Sequence, residues 1–556
     1  MAYTYKNAAK ARNPRVTPQT EIIPGREQDM AKNNAGGVSF VVSPWTKLDR
    51  FLVLGTEGGT YYVNETKLTE DNAKSIISLI EHEGSKVVDR IVDISHTGRA
   101  PKNDPALFAL ALAMTYGDDA TKAAAYAALP KVARIGTHVL HLASYADSMR
   151  GWGRGMRRAF GEWYTNQKPT GLAMNLVKYA NRDGWTHRDI LRLAHPKADG
   201  VYQQLLAYAA DKPYKFAGTE VGDFMDAVLT VKNSKDVELV SQLIHDSKLP
   251  REVVPTELLS ESLVWEALLP HMGTTALVRN LATLTRVGLI APQNDITKLI
   301  ISKLRDEEEM KKARLHPVAV LAALLTYRAG HSARGSNTWT PVTSITDELD
   351  ELFYRSFGLV IPTGKRLVIA LDVSGSMAGG EVAGVPGLSP RVASAALAML
   401  AARTEIDAIF LAFASNNWGN GYLARTKKFN PSNVEGITTV DISKKHRLDT
   451  VCDDINGMPF GGTDCALPMI WAGKNDVKAD QFQVLTDSET WSGPIHPTQA
   501  LKQYRDASGI PAQLVVVGMT ATDFSIADPK DAGMLDVVGF DTATPNIISD
   551  FARNGI

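Results

Sequence analysis

The sequence predicts a multidomain protein, an α-solenoid of HEAT-like helical repeats followed by an α/β domain on a Rossmann-like parallel sheet. Three observations carry this. From about Asp71 to Phe357 apolar residues recur at three- and four-residue spacing, the signature of helices that each bury one face. Near Pro362-Thr363-Gly364-Lys365 that period stops. Beyond it, short apolar runs alternate with helical segments, the order expected of a parallel sheet with helices on both faces. The implied boundaries are a mobile arm over residues 1–38, a helical domain over 39–362 and an α/β domain over 363–556.

In chain order, the arm is polar and broken by Pro14, Pro18 and Pro24. Ser39–Val42, Phe51–Leu54 and Thr60–Val63 read as short extended segments, the last two as a hairpin across Gly58-Gly59. Helices are expected at Ala73–Ile80, Leu107–Met114, Lys122–Leu129, Val139–Tyr145, Leu172–Tyr179, Val237–Ile244, Leu263–Leu269, Thr275–Leu284 and Ile296–Leu304. No repeat of fixed period is present, which suits an irregular stack of helical pairs burying one another's faces. In the α/β part, strands are expected at Arg366–Asp372, Ala408–Phe413, Phe482–Asp487 and Gln513–Val517. The intervening helices are Arg391–Thr404, Thr450–Ile455 and Thr498–Ala507.

The first of those strands ends in Asp372-Val373-Ser374-Gly375-Ser376, one carboxylate and two hydroxyls at i, i+2 and i+4. A tight turn at Gly375 would return Ser374 and Ser376 to the side of Asp372. Two further strand ends supply Thr463, from the loop Gly461-Gly462-Thr463-Asp464, and Asp487. Ligands in open α/β sheets bind beyond the carboxyl ends of the strands. The donors are all hard oxygens, which suit Mg²⁺ first, with Mn²⁺ or Ca²⁺ as alternatives, rather than zinc. DxSxS, then T, then D resembles the metal-ion-dependent adhesion site of von Willebrand factor A domains. With one or two carboxylates among neutral hydroxyls, a bound ion keeps much of its charge and a position for an acidic group from elsewhere. The bland alternative is that Ser374 and Ser376 cap the helix near Pro390 or satisfy a turn.

Composition sets the class. The chain has 556 residues, 44% hydrophobic and 22% charged, enough for two domains with large cores. A formal charge of −1 hides an asymmetry. Residues 361–556 hold 16 Lys+Arg against 21 Asp+Glu, whereas residues 1–360 hold 44 against 40. Cys452 and Cys465 are the only cysteines, so there is neither a disulfide framework nor a zinc cluster, which fits a reducing cytoplasm. No apolar run approaches the ~20 residues that span a bilayer, and the first thirty residues lack an apolar signal core. Gly364-Lys365 is not a phosphate loop, because Arg366 stands where Ser or Thr should follow.

One part of the helical region is strongly basic. Between Arg150 and Lys197 stand ten Lys+Arg against Glu162, Asp183 and Asp189. Arg154, Arg157 and Arg158 share a helical face at i, i+3 and i+4, and Arg188 and Arg192 repeat the i, i+4 relation. Lys178 and Arg182 lie between these groups. His187 and Trp185 add a donor and a stacking surface, so a phosphate-rich ligand is plausible. Charge alone fits a solvated helix face equally well.

Several stretches resemble one family. Arg50-Phe51-Leu52-Val53-Leu54-Gly55-Thr56-Glu57-Gly58-Gly59-Thr60-Tyr61-Tyr62 is similar to the entry segment of the Ro ribonucleoprotein family, the TROVE-domain proteins. Gly184-Trp185-Thr186-His187-Arg188-Asp189, Leu191-Arg192-Leu193-Ala194-His195, Thr275-Ala276-Leu277-Val278-Arg279-Asn280-Leu281 and Gly461-Gly462-Thr463-Asp464-Cys465 carry the likeness further. It runs from about residue 45 to the C-terminus in one order.

The resemblance implies a monomeric ring of HEAT repeats closed by a von Willebrand factor A domain, with no enzymatic activity. It implies a small Y-like noncoding RNA on the outer basic surface, at Arg154, Arg157, Arg158, Lys178, Arg182, His187, Arg188 and Arg192. Single-stranded 3′ ends of defective noncoding RNAs would enter a central hole, in RNA quality control or stress response, with a 3′-to-5′ exoribonuclease as a partner. The metal set maps to Asp372, Ser374, Ser376, Thr463 and Asp487, with an acidic protein ligand as its outside partner. A departure is the Gly-rich insertion Ala378–Leu388, placed where it can alter access to the ion. Two rivals stay open: a metal-dependent adhesion module, and a metal-dependent hydrolase using Asp372 and Asp487.

Overall fold

The computed structural model describes residues 16–216, 218–332, 335–415, 433–458 and 461–554. They form two compact units, residues 73–356 and the combination of residues 1–72 with 357–556. The second grouping departs from the expected boundaries: the segment up to Asn72 packs with the α/β part.

Residues 16–38 do not behave as the expected mobile arm; the arm's first fifteen residues lie outside the described ones. Strands β1 (Met30–Lys32) and β2 (Val38–Val41) pair antiparallel around a small core of Met30, Val38 and Phe40. Phe51–Leu54, expected as extended, is instead the end of a helix, Pro44–Leu54. Ser43 accepts from the Thr46 amide and Pro44 occupies the first turn, a strong start signal. The apolar run looked strand-like because this helix is buried nearly all round, so no polar face marks the period. Its charged residues are also inside: Arg50 is bidentate to Asp536 and Lys47 bonds Asp523. Thr60–Val63 forms a bend rather than a hairpin strand.

In the helical unit the expected helices are present, for example Asp104–Tyr116, Gly136–Met149, Pro169–Lys178, Val237–Ser247 and Thr274–Arg286. Helices Asp104–Tyr116 and Gly136–Met149 pack closely, as do Val237–Ser247 and Ser262–Leu268. A short ribbon, β3 (Asn181–Arg182) with β4 (Trp185–Thr186), interrupts the helices inside the basic segment. The unit also returns to its beginning. His316, at the start of helix Pro317–Ala329, donates from Nε2 to the Arg99 carbonyl at 3.0 Å, joining residues 217 positions apart. Its Nδ1 accepts from the Val318 amide, which fixes the tautomer.

The α/β part is built on a six-stranded sheet. Its strands are β5 (Leu367–Asp372), β6 (Ala408–Phe413), β7 (Ile437–Thr439), β8 (Gln481–Thr486), β9 (Gln513–Gly518) and β11 (Met534–Val538), in the order β11-β9-β8-β5-β6-β7. All neighbours are parallel except β6 and β7. The continuous apolar run of β5 follows from burial on both faces. Val368, Phe482, Val484 and Leu514 pack with Leu467, Leu501 and Tyr504 on one side. A further short strand, β10 (Phe524–Ser525), pairs with β2, so the N-terminal segment adds its ribbon to this unit.

Candidate metal centre and nucleic-acid interface

Asp372 is the last residue of β5, at the centre of the sheet, and is fully buried. Its Oδ1 accepts from the Ser374 amide at 2.9 Å and its Oδ2 from the Thr486 hydroxyl at 2.6 Å. The turn at Gly375 folds the loop back as expected, placing the Ser374 and Ser376 hydroxyls 3.1 Å apart. Gly375 donates to the Gly461 carbonyl at 3.2 Å, which lays the loop bearing Thr463 alongside. Asp487 stands one residue beyond β8, buried, and accepts from the Glu489 amide at 3.1 Å. The structure therefore gathers Asp372, Ser374, Ser376 and Asp487 at adjacent strand ends, with Thr463 buried on the neighbouring loop.

The electrostatics of this pocket are unbalanced. Burial, then the charges of Asp372 and Glu489, push Asp487 up to about 8. Burial likewise raises Asp372 and Glu489. A divalent cation would relieve precisely this crowding of buried negative charge, so the donors fit one. Among the described residues no three His, Cys, Asp or Glu side chains converge as a ligand cluster, so hydroxyls would make up most of any shell here. That composition favours Mg²⁺-type oxygen coordination with retained water.

Sequence reasoning missed three supports of the centre. Arg391, buried in the first turn of helix Pro390–Thr404, donates to the carbonyls of Val373, Ser374 and Met458 and so clamps the loop. An arginine in an otherwise alanine-rich helix was the available signal. Glu489 does not face outward: it accepts from the Asn34 amide at 2.8 Å, the Asn34 side chain at 2.6 Å and the Ala35 amide at 3.2 Å. Gln19, also buried, bridges Asp464, the Ile495 carbonyl and Thr490. The last two supports join segments more than 400 positions apart, and no local pattern announces them.

The basic segment of the helical unit is organised by aromatic packing. Helix Arg154–Thr165 buries Met156, Phe160, Trp163 and Tyr164 and leaves Arg154, Arg157 and Arg158 exposed. The Trp152 ring lies on Phe160 and stacks on Trp185 at 6.0 Å between centroids, so the start of this helix meets the β3–β4 ribbon. Arg182 and Arg192 are exposed, while Arg188 pairs with Asp211 at 3.0 Å. Lys178 sits over the Tyr179 ring. Of the nearby acids, Asp189 is occupied in a capping box, accepting from the Thr186 amide and hydroxyl.

His187 is the exception among the expected RNA contacts. Its side chain is buried, with Nδ1 bonded to the Tyr164 hydroxyl and Nε2 to the Tyr179 carbonyl, both at 2.9 Å. Burial holds it down at about 4, so it is neutral near pH 7 and has no spare donor for a phosphate. It organises the fold beneath the arginines.

Family comparisons agree with this layout. The TROVE domain matches residues 31–243 and 244–362, and the Ro60 vWA domain matches residues 366–552. The chain belongs to the Ro60 family. It is 41% identical over 554 residues to the RNA-binding protein RO60 of Deinococcus radiodurans, covering 99% of this chain and 100% of that one. It is 35% identical over 621 residues to the RNA-binding protein RO60 of Caenorhabditis elegans, covering 98% and 92%. The crystal structure of the Deinococcus radiodurans RO (RSR) protein superposes with a TM-score of 0.69 at 39% identity, covering 92% of this chain and all of that one. The helical-repeat and von Willebrand factor A architecture is thus that of a Ro60 family member. Among the described residues no helix is long and apolar enough to cross a membrane.

Proposed function

We propose that this chain is an RNA-binding protein whose helical unit holds a small structured, Y-like noncoding RNA on the surface bearing Arg154, Arg157, Arg158, Arg182 and Arg192. The observation that carries this reading is the Trp152–Trp185 stack, which joins exposed arginines from two segments while Asp189 is withdrawn into a cap. Arginines so presented make phosphate contacts that fix register on RNA. The relatives named as RNA-binding proteins support the same class. The helical unit, in which His316 bonds back to Arg99, is proposed to thread single-stranded 3′ ends of defective noncoding RNAs. The setting is cytoplasmic RNA quality control, with a 3′-to-5′ exoribonuclease as partner.

In the α/β unit, Asp372, Ser374, Ser376, Thr463 and Asp487 would hold a divalent cation, Mg²⁺ by preference. Bound there, it supplies positive charge that an acidic protein group can meet. A binding role is favoured over hydrolysis because the carboxylates already have structural tasks. Asp372 holds Ser374 and Thr486, Asp487 holds the Glu489 amide, and Glu489 holds Asn34 and Ala35.

The test is to crosslink RNA to the chain in native cells and sequence what copurifies. A recovered Y-like hairpin RNA is the expected result. A pool indistinguishable from mock purification would overturn the RNA reading and leave the adhesion module.

A further inference from the structure

Two of the loops that carry the proposed ligands each hold an exposed aromatic ring. The amides of Trp491 and Ser492 both donate to the Thr463 carbonyl, at 3.1 and 3.0 Å, so Trp491 is tied by its backbone to the residue that offers a hydroxyl to the ion. Its indole lies on the backbone just before Thr463: a Cβ on Gly462 would meet Trp491 Cζ2 at 2.7 Å. Gly37, in the N-terminal segment, approaches the same residue, and a Cβ there would come within 2.7 Å of the Trp491 Cα. Glycine at both positions lets two backbones close on one tryptophan. Trp491 is still 40% exposed, more than any other described tryptophan.

Tyr61 stands in the same relation to the loop of Ser376. A Cβ on Gly379 would meet Tyr61 Cδ2 at 2.9 Å, and the Gly379 amide donates to the Ser376 carbonyl at 3.2 Å. Tyr61 is 61% exposed. Single apolar residues on a surface need no explanation, but two large rings fixed to two ligand-bearing loops of one centre are a different case.

We propose that Trp491 and Tyr61 are apolar anchors for the partner of the metal centre, which takes a protein segment presenting a carboxylate with an aromatic or aliphatic side chain a few residues away. This rests on the reading that the centre holds a divalent ion, and it names the partner's chemistry. An ion alone selects little beyond negative charge. The rings add contact area that only a segment with an apolar neighbour to its acid can cover, and tryptophan and tyrosine are the residues that most often dominate such contacts. Trp491 is already held by its backbone and by Gly462, so little freedom is lost when a partner covers it. Bases of single-stranded RNA also stack on exposed rings. Charge argues against that occupant: residues 361–556 hold 16 Lys+Arg against 21 Asp+Glu, a balance that repels a chain of phosphates more than one carboxylate.

The full chain is loaded with Mn²⁺, and the free-ion EPR signal gives its Mn²⁺ affinity. Fluorescein-labelled alanine peptides with one central glutamate, and a phenylalanine walked through the positions on either side of it, are then titrated by anisotropy against the peptide lacking phenylalanine. Expected is roughly tenfold tighter binding for at least one phenylalanine position, lost to within about twofold in Trp491→Ala and largely kept in Trp491→Phe. Tyr61→Ala should remove part of the gain, and because it lies on a separate loop it keeps the test decisive should Trp491→Ala fail to fold. Mn²⁺ affinity should stay within about threefold in every variant, because the bonds to Thr463 are made by backbone amides. Mn²⁺ bound with no gain at any phenylalanine position, or a gain that survives in Trp491→Ala and Tyr61→Ala alike, overturns the anchors and leaves the ion reading intact. No Mn²⁺ bound by the folded wild type overturns the ion reading and the anchors together. Mn²⁺-dependent binding of labelled oligouridylate that is lost in Trp491→Ala, with no peptide gain, overturns the protein partner and assigns the rings to RNA.

Discussion

Gln19 Nε2 donates to Asp464 Oδ1 at 2.7 Å, joining the first described turn of the chain to the loop of the metal centre across 445 positions. The bond is buried on both sides, and the Gln19 side-chain Oε1 accepts in turn from the Thr490 hydroxyl and the Gly493 amide. Burial already raises Asp464 to about 6. Gln19→Leu should therefore cost about 1–3 kcal/mol, because it strands buried partners as well as losing a bond. Urea unfolding of the full chain checks this. A midpoint within error of wild type would show that Asp464 finds another donor.

Asp372→Ala should abolish divalent-ion binding and leave RNA affinity within about twofold, since the metal residues and the basic segment belong to different compact units. Calorimetry with Mn²⁺ and a filter-binding assay on the same preparation read both quantities. Unchanged metal stoichiometry in the folded variant would refute the assignment of Asp372.

For the basic surface, Arg157→Ala and Arg158→Ala should each weaken structured-RNA binding and flatten its dependence on log salt by roughly 0.7–0.9. Single-stranded 3′ ends should be affected much less. His187→Gln should behave differently: with both ring nitrogens committed inside the fold, it should lower stability while the salt slope stays constant. A slope change for His187→Gln matching the arginine variants would mean that the imidazole does reach RNA.

The same histidine gives a pH signature. Burial holds His187 down at about 4, and burial followed by Arg134 and His141 holds His138 down at about 3, against an ordinary 6.5. The unfolded chain then takes up these protons first. Their contribution to stability is complete above pH 6.5 and is lost as pH falls from 6.5 towards 4, by up to about 1.4 kcal/mol per pH unit for each. The stability gap between wild type and His187→Gln should accordingly narrow between pH 7 and pH 5. An equal gap at both values would rule out a neutral buried His187.

How much of this was readable depended on how local each signal was. Asp372, Ser374 and Ser376 stand within five residues after a continuous apolar strand, so the loop declared itself. Helical spacing likewise exposed most of the solenoid. The helix Pro44–Leu54 was hidden because ion pairs from Asp523 and Asp536 let Lys47 and Arg50 go inside, erasing the polar face that marks a helix period. His187 lies among arginines in sequence, and only its contacts with Tyr164 and Tyr179 show that it points inward. Gln19 and Asn34 act on the loops of the metal centre from hundreds of residues away, a distance at which a single sequence carries no pairing information.

The pairing of β2 with β10, and of Arg50 with Asp536, sets a timetable for synthesis. Arg50 leaves the ribosome 486 residues ahead of its carboxylate partner. At ordinary elongation rates that is tens of seconds during which Leu48, Phe51 and Leu52 have no finished sheet to cover them. The intervening helical unit can fold as it emerges, but the α/β unit is completed only when its late strands reach a segment made hundreds of residues earlier. Premature release anywhere before Asp536 leaves that early helix uncovered, a natural handle for chaperones and proteases that sort unfinished copies from complete ones.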